Sequence, residues 1–458
     1  MPMDSAAENL TPHPQFPRIY EGYAYSYPHK SAYRRLSPPL PIREAWSGTS
    51  RDAVSLYVHV PFCGMRCGFC NLFTTANPKP PLVARFFDAL ERQAEVVLEE
   101  LGAIRAEQFV IGGGTPTYLT ACELERIFSL VERLFGVDPR HVATSVETSP
   151  GTATPQRIAA LAARGIDRIS IGAQSFDEWE RYAMGRPQKR SDLEAALDTI
   201  RGYAFPVLNI DLIYGAANQT PESWRRSIRR ALLWRPEEIH LYPLYVRPQT
   251  GLGGRVETWD AHRLALYRAG RDFLLSEGYE QLSMRCFRRP GSNLRDAGAE
   301  FGGDNALPIL GLGAGARSAT QHMHYSTQYA VNRRSILDIL NAYCDAPTEA
   351  FRNADYGVQL NDDERLRRII LATVLSSRGM NVTHFLATAK LEAVRDFAPL
   401  ATLIDAGLLQ ETDGRLHPTA SGLELTDAIG PWLYSPAVRE SATRENAVRK
   451  SAARQSNA

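Results

Sequence analysis

The sequence predicts an α/β fold in which six strand–helix units form a closed or partly closed barrel, followed by a small helix-rich C-terminal domain. Two observations support this prediction. Short β-rich apolar runs alternate with longer amphipathic segments between residues 51 and 345, and the pattern becomes mainly helical beyond residue 345. Alternating strands and helices are typical of a parallel sheet with right-handed crossovers, in which functional residues gather where the strands end.

The elements of the barrel region follow one another regularly. A run of β-branched and aromatic residues, SLYVHV, gives the first strand and stops at Pro61. The predicted strands are 55–60, 108–111, 143–147, 168–171, 207–213 and 239–246, and the predicted helices between them are 82–101, 121–135, 155–164, 193–200 and 221–234. The barrel is therefore assigned to residues 51–345.

Three further segments flank the barrel region. Residues 1–50 form a Pro-rich arm, with four prolines between positions 28 and 41, that we expect to lie extended across a surface. Residues 346–436 contain several predicted helices and a hairpin that turns at Asp413–Gly414, which indicates a small winged-helix-like domain. Residues 437–458 are polar without an apolar face, so we expect a disordered tail.

Composition excludes some classes of partner. Of 458 residues, 44% are hydrophobic and 22% are charged, as in soluble globular proteins. Because 52 Lys and Arg balance 51 Asp and Glu, no net field would attract nucleic acid or an anionic membrane. The first ten residues lack the basic and apolar regions of a signal peptide, and no apolar run approaches the ~20 residues of a membrane span. We therefore expect a cytoplasmic protein with a small-molecule substrate.

Three of the six cysteines lie within eight residues, in the segment HVPFCGMRCGFCNLF. Cys63, Cys67 and Cys70 have the spacing C-x3-C-x2-C, which lets three thiolates bind one face of a [4Fe–4S] cluster. Such a cluster normally takes four thiolates, so one iron would stay open to chelate an amine and a carboxylate. The alternative is structural zinc with His59 or Cys286 as fourth ligand, which the spacing fits poorly.

Further candidate residues follow the other predicted strands. Gly112–Pro116, with the sequence GGGTP, comes after the second strand, Glu147 ends the third, Gln174 follows the fourth and Asp211 lies within the fifth. Since the carboxyl ends of parallel strands meet at one edge, we expect these residues and the cysteines to share one site. The alternative is that both acids are ordinary strand-end carboxylates, although apolar parallel strands seldom end in isolated acids.

The cysteine loop and GGGTP together resemble the radical S-adenosylmethionine (SAM) superfamily. Within it, the sequence is most similar to the branch of oxygen-independent coproporphyrinogen III dehydrogenase and its relatives, whose motif YxHxPFCxxxCxxC is matched from Tyr57 to Cys70. The resemblance covers about residues 51–435. It implies a [4Fe–4S] cluster on the three cysteines, SAM bound there, and a low-potential flavodoxin or ferredoxin as electron donor.

The resemblance also implies a set of SAM-binding residues and no assigned catalytic side chain. Glu147 matches the carboxylate for a first SAM, and the glycine-rich segment would offer backbone N–H groups to a carboxylate or ribose. The implied cofactor-binding residues are Tyr57, Phe69, Gly113, Gly114, Thr115, Glu147, Gln174, Arg186 and Asp211. Gln174, Arg186 and Asp211 belong to the second nucleotide-binding set.

The sequence departs from the dehydrogenase directly after the cluster cysteines. Asn71, Leu72 and Phe73 stand where the porphyrin enzyme carries a further cysteine. The segments CNLFT, SYPHKSAYR and GPWLYS resemble class C radical SAM methylases and cyclopropanases, which implies two SAM molecules and transfer of a methyl or methylene group to an sp2 carbon of a small conjugated metabolite. The alternatives are oxidative decarboxylation of a porphyrinogen and a non-catalytic haem chaperone.

Overall fold

The protein is described from a computed structural model that covers residues 16–23, 27–246, 250–252, 260–292, 307–389 and 396–441. Within these residues, thirteen strands form one large mixed sheet, three form a small sheet and two form a short parallel pair. None of the described helices is long and apolar enough to cross a bilayer.

In chain order, the strands are β1 (Arg34–Pro41), β2 (Val54–Val60), β3 (Phe62–Cys63), β4 (Thr75–Ala76), β5 (Ala106–Gly113), β6 (Ala143–Thr148), β7 (Arg168–Gln174), β8 (Val207–Tyr214), β9 (Glu238–Pro243), β10 (Glu280–Gln281), β11 (Cys286–Arg288), β12 (Ile309–Leu312), β13 (Arg317–Ala319), β14 (Met323–Ser326), β15 (Asn353–Gln359), β16 (Met380–Asn381), β17 (Leu409–Thr412) and β18 (Arg415–Pro418). The helices are α1 (Ile42–Ala45), α2 (Pro80–Leu101), α3 (Ala121–Phe135), α4 (Pro155–Ala163), α5 (Glu178–Ala183), α6 (Arg190–Arg201), α7 (Pro221–Ala231), α8 (Asp260–Ser276), α9 (Arg333–Cys344), α10 (Asp362–Val374), α11 (Val382–Ala389), α12 (Ala398–Asp405), α13 (Ala420–Glu424) and α14 (Thr426–Trp432).

Six parallel strands form the centre of the large sheet. β2, β5, β6, β7, β8 and β9 pair side by side in this order, and each is followed along the chain by helix. This arrangement confirms the predicted strand–helix alternation. The apolar residues of these strands, such as Leu56, Phe109 and Ile169, are fully buried, as expected where helices cover the sheet.

The ends of the predicted elements follow local signals. α3 has the predicted bounds, because Thr120 and Glu123 form a capping box at its start and Gly136 adopts a left-handed conformation at its end. The predicted strand 239–246 is shorter, since β9 ends at Pro243, which has no N–H to continue the ladder.

The large sheet extends beyond the predicted strands on both sides. β12 pairs in parallel with β2, and β13, β14, β15 and β1 then add antiparallel strands. On the other side, β11 and β10 extend the sheet from β9. Part of the Pro-rich arm is therefore an edge strand, β1. The described sheet is open, with β1 and β10 at its edges.

The C-terminal region contains the small sheet β16–β18–β17 with helices around it. The predicted hairpin is confirmed, since Asp413 and Gly414 both have positive φ angles between β17 and β18. Before the hairpin, α12 ends at Asp405, and Leu409 begins β17. Residues 442–458, most of the predicted tail, lie outside the described residues.

The N-terminal arm lies between the sheet and the C-terminal region. Gly22 donates its N–H to the Asp427 carbonyl, and Tyr27 Oη donates to the Glu364 carboxylate. Asp427 also forms a buried ion pair with Arg285, whose guanidinium lies 3.8 Å from the ring centroid of Tyr23. The arm therefore contributes buried polar contacts that join the two regions.

Candidate functional site

The three clustered cysteines lie on a loop that is closed at its base. β3 and β4 pair in parallel, the Thr75 N–H donates to the Pro61 carbonyl at 2.8 Å, and the Asn77 N–H donates to the Cys63 carbonyl at 2.9 Å. Within the loop, the Cys70 N–H donates to the Cys67 carbonyl at 3.1 Å. The loop thus holds its three side chains in fixed positions at the end of β2.

Residues of other elements contact two of the thiols. Cys63 Sγ lies 3.2 Å from Thr115 Oγ1, and Arg186 Nη1 lies 3.4 Å from Cys67 Sγ. Burial raises the pKa of the Cys70 thiol to about 11 and also raises the pKa of Cys67. These thiols would therefore stay protonated by themselves, and a metal centre is the partner that stabilises buried thiolates.

The described residues contain no three His, Cys, Asp or Glu side chains placed to bind a single metal ion. A [4Fe–4S] cluster places its thiolates on different irons, so its ligands are spread more widely than those of one ion. His59 does not suit the zinc alternative, because its Nδ1 lies 2.9 Å from Tyr57 Oη and its Nε2 lies 2.9 Å from the Phe73 carbonyl. Burial lowers the pKa of His59 to about 4, so this imidazole is neutral.

Two backbone hydrogen bonds of Gly68 attach the cysteine loop to neighbouring segments. The Gly68 N–H donates to the Gly185 carbonyl at 3.1 Å, and the Gly68 carbonyl accepts from the Leu252 N–H at 2.9 Å. A Cβ on Gly68 would lie 2.8 Å from the Met184 carbonyl oxygen. Position 68 therefore requires glycine, because the segment after α5 packs directly against the loop backbone.

The GGGTP segment packs against the cysteine loop from the other side. A Cβ on Gly114 would lie 2.3 Å from Thr74 Oγ1, and the Gly114 N–H donates to the Val60 carbonyl. The Thr115 N–H donates to the Phe62 carbonyl, and the Gly113 N–H donates to Glu147 Oε2 at 3.1 Å. The expectation of free N–H groups in this segment is therefore corrected: the glycines are needed for close packing, and contact of the segment with a cofactor stays a prediction.

Glu147 faces open space although it lies on a central strand. It is the one exposed residue of β6, whose other five residues are buried. Confinement by the surrounding protein raises the pKa of its carboxyl to about 7, and the negative charge of Asp211 adds to this effect. A Cβ on Gly112 would lie 3.1 Å from both Glu147 and the Tyr57 ring, so these two side chains flank the same glycine.

Gln174 and Arg186 meet at the end of β7. The pairing of β7 with β8 changes register between Gly172 and Gln174, and Gln174 adopts a left-handed backbone conformation with a φ of 67°. Arg186 donates from Nη2 to the Gly172 carbonyl at 2.9 Å, while its Nη1 contacts Cys67. Arg186 is only 8% exposed, so it is not a surface arginine. Its two contacts connect the end of β7 to the cysteine loop.

Phe69 and Asp211 have different surroundings. Phe69 packs at the edge of a small apolar cluster formed by Met184, Ile213, Ala216 and Leu244. Asp211 accepts hydrogen bonds from Ser170 Oγ at 3.1 Å and from Asn209 Nδ2 at 2.8 Å. Both remain predicted cofactor-binding residues.

Sequence reasoning missed a chain of polar residues beside Asp211. Asn209 Nδ2 donates to Ser170 and Asp211, so its Oδ1 accepts from His240 Nδ1 at 2.7 Å. The His240 ring stacks on Tyr242 with a centroid distance of 5.8 Å. Polar residues at every second position of β8 and β9 were the available signal, because alternate residues of a strand share one face.

Comparison with known proteins gives two family matches. The Radical SAM superfamily model matches residues 57–231, and the HemN C-terminal domain model matches residues 360–425. The first match contains the cysteine loop and all the predicted cofactor-binding residues. The second contains the small C-terminal sheet and the helices next to it.

Several named proteins are similar to this chain. The oxygen-independent coproporphyrinogen III oxidase of Synechocystis sp. is 27% identical over 397 residues, which is 82% of each chain. That of Paracoccus denitrificans is 31% identical over 281 residues, 58% of this chain and 62% of that protein, so this alignment spans less than two thirds of the relative. The heme chaperone HemW of Synechocystis sp. is 29% identical over 283 residues, 59% of this chain and 67% of HemW.

A solved structure extends the comparison to the whole fold. Coproporphyrinogen III oxidase (HemN) from Escherichia coli, described as a radical SAM enzyme, superposes with a TM-score of 0.76 at 25% sequence identity. The match covers 90% of this chain and 96% of that one. These relatives support the branch that the sequence resembles, whereas the methylase and cyclopropanase subgroup stays a prediction.

Proposed function

We propose that this chain is a radical SAM enzyme of the HemN-like branch that cleaves SAM reductively at a [4Fe–4S] cluster held by Cys63, Cys67 and Cys70. One observation carries this proposal. A closed loop presents three thiols, Thr115 and Arg186 contact two of them, and Glu147 is exposed at the end of β6, a strand of the same parallel sheet.

The residues present fit both groups. Three buried or half-buried thiols suit an iron–sulfur centre, and the exposed carboxylate of Glu147 suits the amine of SAM. When bound, the cluster supplies the electron that breaks a C–S bond of the sulfonium, which yields a 5′-deoxyadenosyl radical. In this proposal Glu147 binds the amine, Arg186 positions the Cys67 thiolate, and the surrounding protein excludes water from the radical.

We favour a porphyrinogen as substrate. Relatives named oxygen-independent coproporphyrinogen III oxidase align with most of this chain, and the C-terminal domain match belongs to the same group. In this reaction a propionate side chain would lose a hydrogen atom to the deoxyadenosyl radical, then CO2 and one electron, which leaves a vinyl group. The external electron acceptor takes the remaining electron.

A second candidate is methyl or methylene transfer to an sp2 carbon, with a second SAM as the carbon source. The observation that favours it is the residue after the cluster ligands. Leu72, which is 45% exposed, lies in the segment directly after the cluster ligands, where the family resemblance implies a further cysteine in the dehydrogenase. An exposed leucine offers an apolar contact and no thiol, so the substrate side of this loop differs chemically from that of the porphyrin enzyme.

One anaerobic experiment separates these functions. The reconstituted protein is incubated with dithionite, methyl-deuterated SAM and coproporphyrinogen III. Cluster absorbance and 5′-deoxyadenosine are expected, and CO2 with a vinyl product supports decarboxylation. Deuterium in the deoxyadenosine supports hydrogen abstraction from a SAM methyl group and therefore the second candidate. If no cubane absorbance and no deoxyadenosine form, the proposed function is wrong.

The haem chaperone alternative needs a separate measurement, because HemW is among the similar proteins. Haem is titrated into the reconstituted protein and its Soret band is followed. Stoichiometric haem binding without SAM consumption would favour a chaperone, whereas SAM cleavage without a shifted Soret band favours the enzyme.

A further inference from the structure

The short helix α5 exposes both of its aromatic residues and buries two of its three charged ones, whereas the third, Glu178, is exposed. Trp179 and Tyr182 are 75% and 68% exposed, and their rings contact each other edge to face at 6.4 Å. Glu180 and Arg181 are 1% and 0% exposed. A surface helix that only packs on a core shows the opposite pattern, so this arrangement needs another explanation.

The buried charges of α5 fix the helix in place. Glu180 accepts hydrogen bonds from Ser175 Oγ at 2.6 Å, from Ser223 Oγ at 2.5 Å and from Gln219 Nε2 at 3.0 Å. Arg181 donates to the Gln188 carbonyl at 2.9 Å and to the Ser175 carbonyl. The aromatic pair is therefore presented by a firmly anchored helix, and its exposure does not result from loose packing.

A groove with four arginines and two acids adjoins the aromatic pair. It has a volume of about 660 Å³, and its lining includes Trp179, Leu233, Asp177, Glu178, Arg190, Arg226, Arg229 and Arg230. Helix α7 carries four arginines and one acid, Glu222, which contacts Arg225. Glu194 contacts both Arg190 at 3.5 Å and Arg230 at 2.8 Å. With Asp177 and Glu178 in the lining, four acids face five arginines, so positive charge is in small excess here.

The same helix leads directly to the cysteine loop. α5 has six residues and ends at Ala183, and Gly185 and Arg186 follow. The Gly185 carbonyl accepts from the Gly68 N–H at 3.1 Å, and Arg186 contacts Cys67 Sγ. A helix of this length spans about 9 Å, so a single short helix connects the exposed aromatic pair with the cluster-binding loop.

We propose that α5 and α7 form the docking surface for an acidic one-electron carrier protein of the flavodoxin or ferredoxin type. The inference rests on the proposed function, since SAM cleavage consumes one electron that the carrier supplies, yielding methionine and the deoxyadenosyl radical. Tryptophan, tyrosine and arginine are the residues that contribute most to binding in protein interfaces. The excess of arginine complements an acidic partner, and the link from α5 to Cys67 and Gly68 places the bound carrier beside the electron's destination.

Two reductants make the test specific. Deoxyadenosine formation is measured with dithionite, which needs no docking surface, and with flavodoxin or ferredoxin reduced by its NADPH-dependent reductase. The variants are Trp179→Ala with Tyr182→Ala, and Arg226→Glu with Arg230→Glu. The matched control is Arg126→Glu with Arg133→Glu, because these arginines are similarly exposed on α3.

The expected result is a carrier concentration for half-maximal rate that rises about tenfold or more in both docking variants, with an unchanged dithionite rate. The control should behave like the wild type, and added salt should slow the carrier-driven reaction of the wild type more than that of the arginine variant. Equal losses with both reductants, or no loss with the carrier, would overturn the docking surface. So would failure of either carrier to drive wild-type turnover that dithionite supports, whereas failure of dithionite itself counts against the proposed function.

Discussion

Glu147 and Glu238 stand in one row of the large sheet but have opposite electrostatic surroundings. Register pairs Glu147 with Ser170, Ser170 with Asn209, and Asn209 with Glu238. Because the strands are staggered, this row runs from the carboxyl end of β6 to the first residue of β9. The pKa of Glu147 is raised to about 7, whereas that of Glu238 is lowered to about 2.

The difference arises from the partners of each carboxylate. Burial alone would raise the pKa of Glu238, but the positive charges of Arg168 and Arg288, 2.8 and 2.7 Å away, outweigh this effect. Glu147 receives one backbone N–H and lies near the like charge of Asp211. The fold thus neutralises an acid at the amino end of a strand and leaves one available for a ligand at a carboxyl end, as expected if the first stabilises the protein and the second binds.

The largest expected effect tests whether the active site lies at the carboxyl ends of the parallel strands. Replacing Cys67 with alanine should abolish cluster binding and deoxyadenosine formation, because two thiolates cannot hold the cubane. Iron and sulfide content and SAM cleavage after anaerobic reconstitution measure this. Cys122→Ala is the matched control, since Cys122 is exposed and lies on α3. A Cys67→Ala protein that keeps full iron and activity would disprove the assignment.

The second largest expected effect is a loss of stability when Glu238 is replaced. Glu238→Gln should destabilise the protein by about 3–5 kcal/mol, because Arg168 and Arg288 lose a buried counter-charge. Since the folded-state pKa is depressed, the stability from Glu238 is complete above the ordinary pKa of 4.5 and is lost as pH falls towards 2. Denaturant unfolding at pH 7 and at pH 4 checks both points.

The control for Glu238 is an exposed ion pair. Glu107→Gln removes a contact with Arg105 on the surface and should cost less than about 1 kcal/mol. SAM affinity should be unchanged in both variants once they are folded. A Glu238→Gln variant as stable as the wild type would show that its ion pairs are not required for the fold.

Glu147 should affect binding instead of stability. Glu147→Gln should weaken SAM binding about 10- to 100-fold, as expected for loss of a charged hydrogen bond. In the wild type, SAM should bind more weakly as pH falls below about 7, because protonation removes the charge of Glu147. Isothermal titration at pH 6 and pH 8 measures this dependence, which the Gln variant should lack.

The stability that Glu147 contributes changes with pH in the opposite direction to that of Glu238. The raised pKa of Glu147 means that the folded state holds an extra proton between pH 4.5 and about 7, so its contribution to stability falls as pH rises through this range. Glu147→Gln should therefore be at least as stable as the wild type at pH 8. A large loss of stability at that pH would indicate a structural role.

The sequence predicted the parts of this arrangement that depend on local signals. Periodicity gave the six parallel strands, and the spacing of Cys63, Cys67 and Cys70 gave the loop. The strands β1, β12, β13, β14 and β15 were not predicted, because they are short or irregular and their pairing, parallel between β12 and β2 and antiparallel elsewhere, joins distant segments; β1 also contains prolines. The close packing of Gly114 and the link from Asn209 to His240 also depend on contacts between separate elements.

The smallest expected effect comes from glycine substitutions at two residues with strained backbones. Gln174 at the end of β7 and Asp413 in the C-terminal hairpin both have positive φ angles, 67° and 52°. Glycine at either position relieves a cost of about 1–2 kcal/mol but adds chain entropy to the unfolded state, so each substitution should stabilise the protein by about 0.5 kcal/mol. Thermal unfolding measures this gain. Only Gln174→Gly should also weaken SAM binding, because Gln174 is a predicted cofactor-binding residue, whereas Asp413 lies in the C-terminal hairpin. Equal SAM affinity in the two variants would mean that the strain at the end of β7 serves the turn alone.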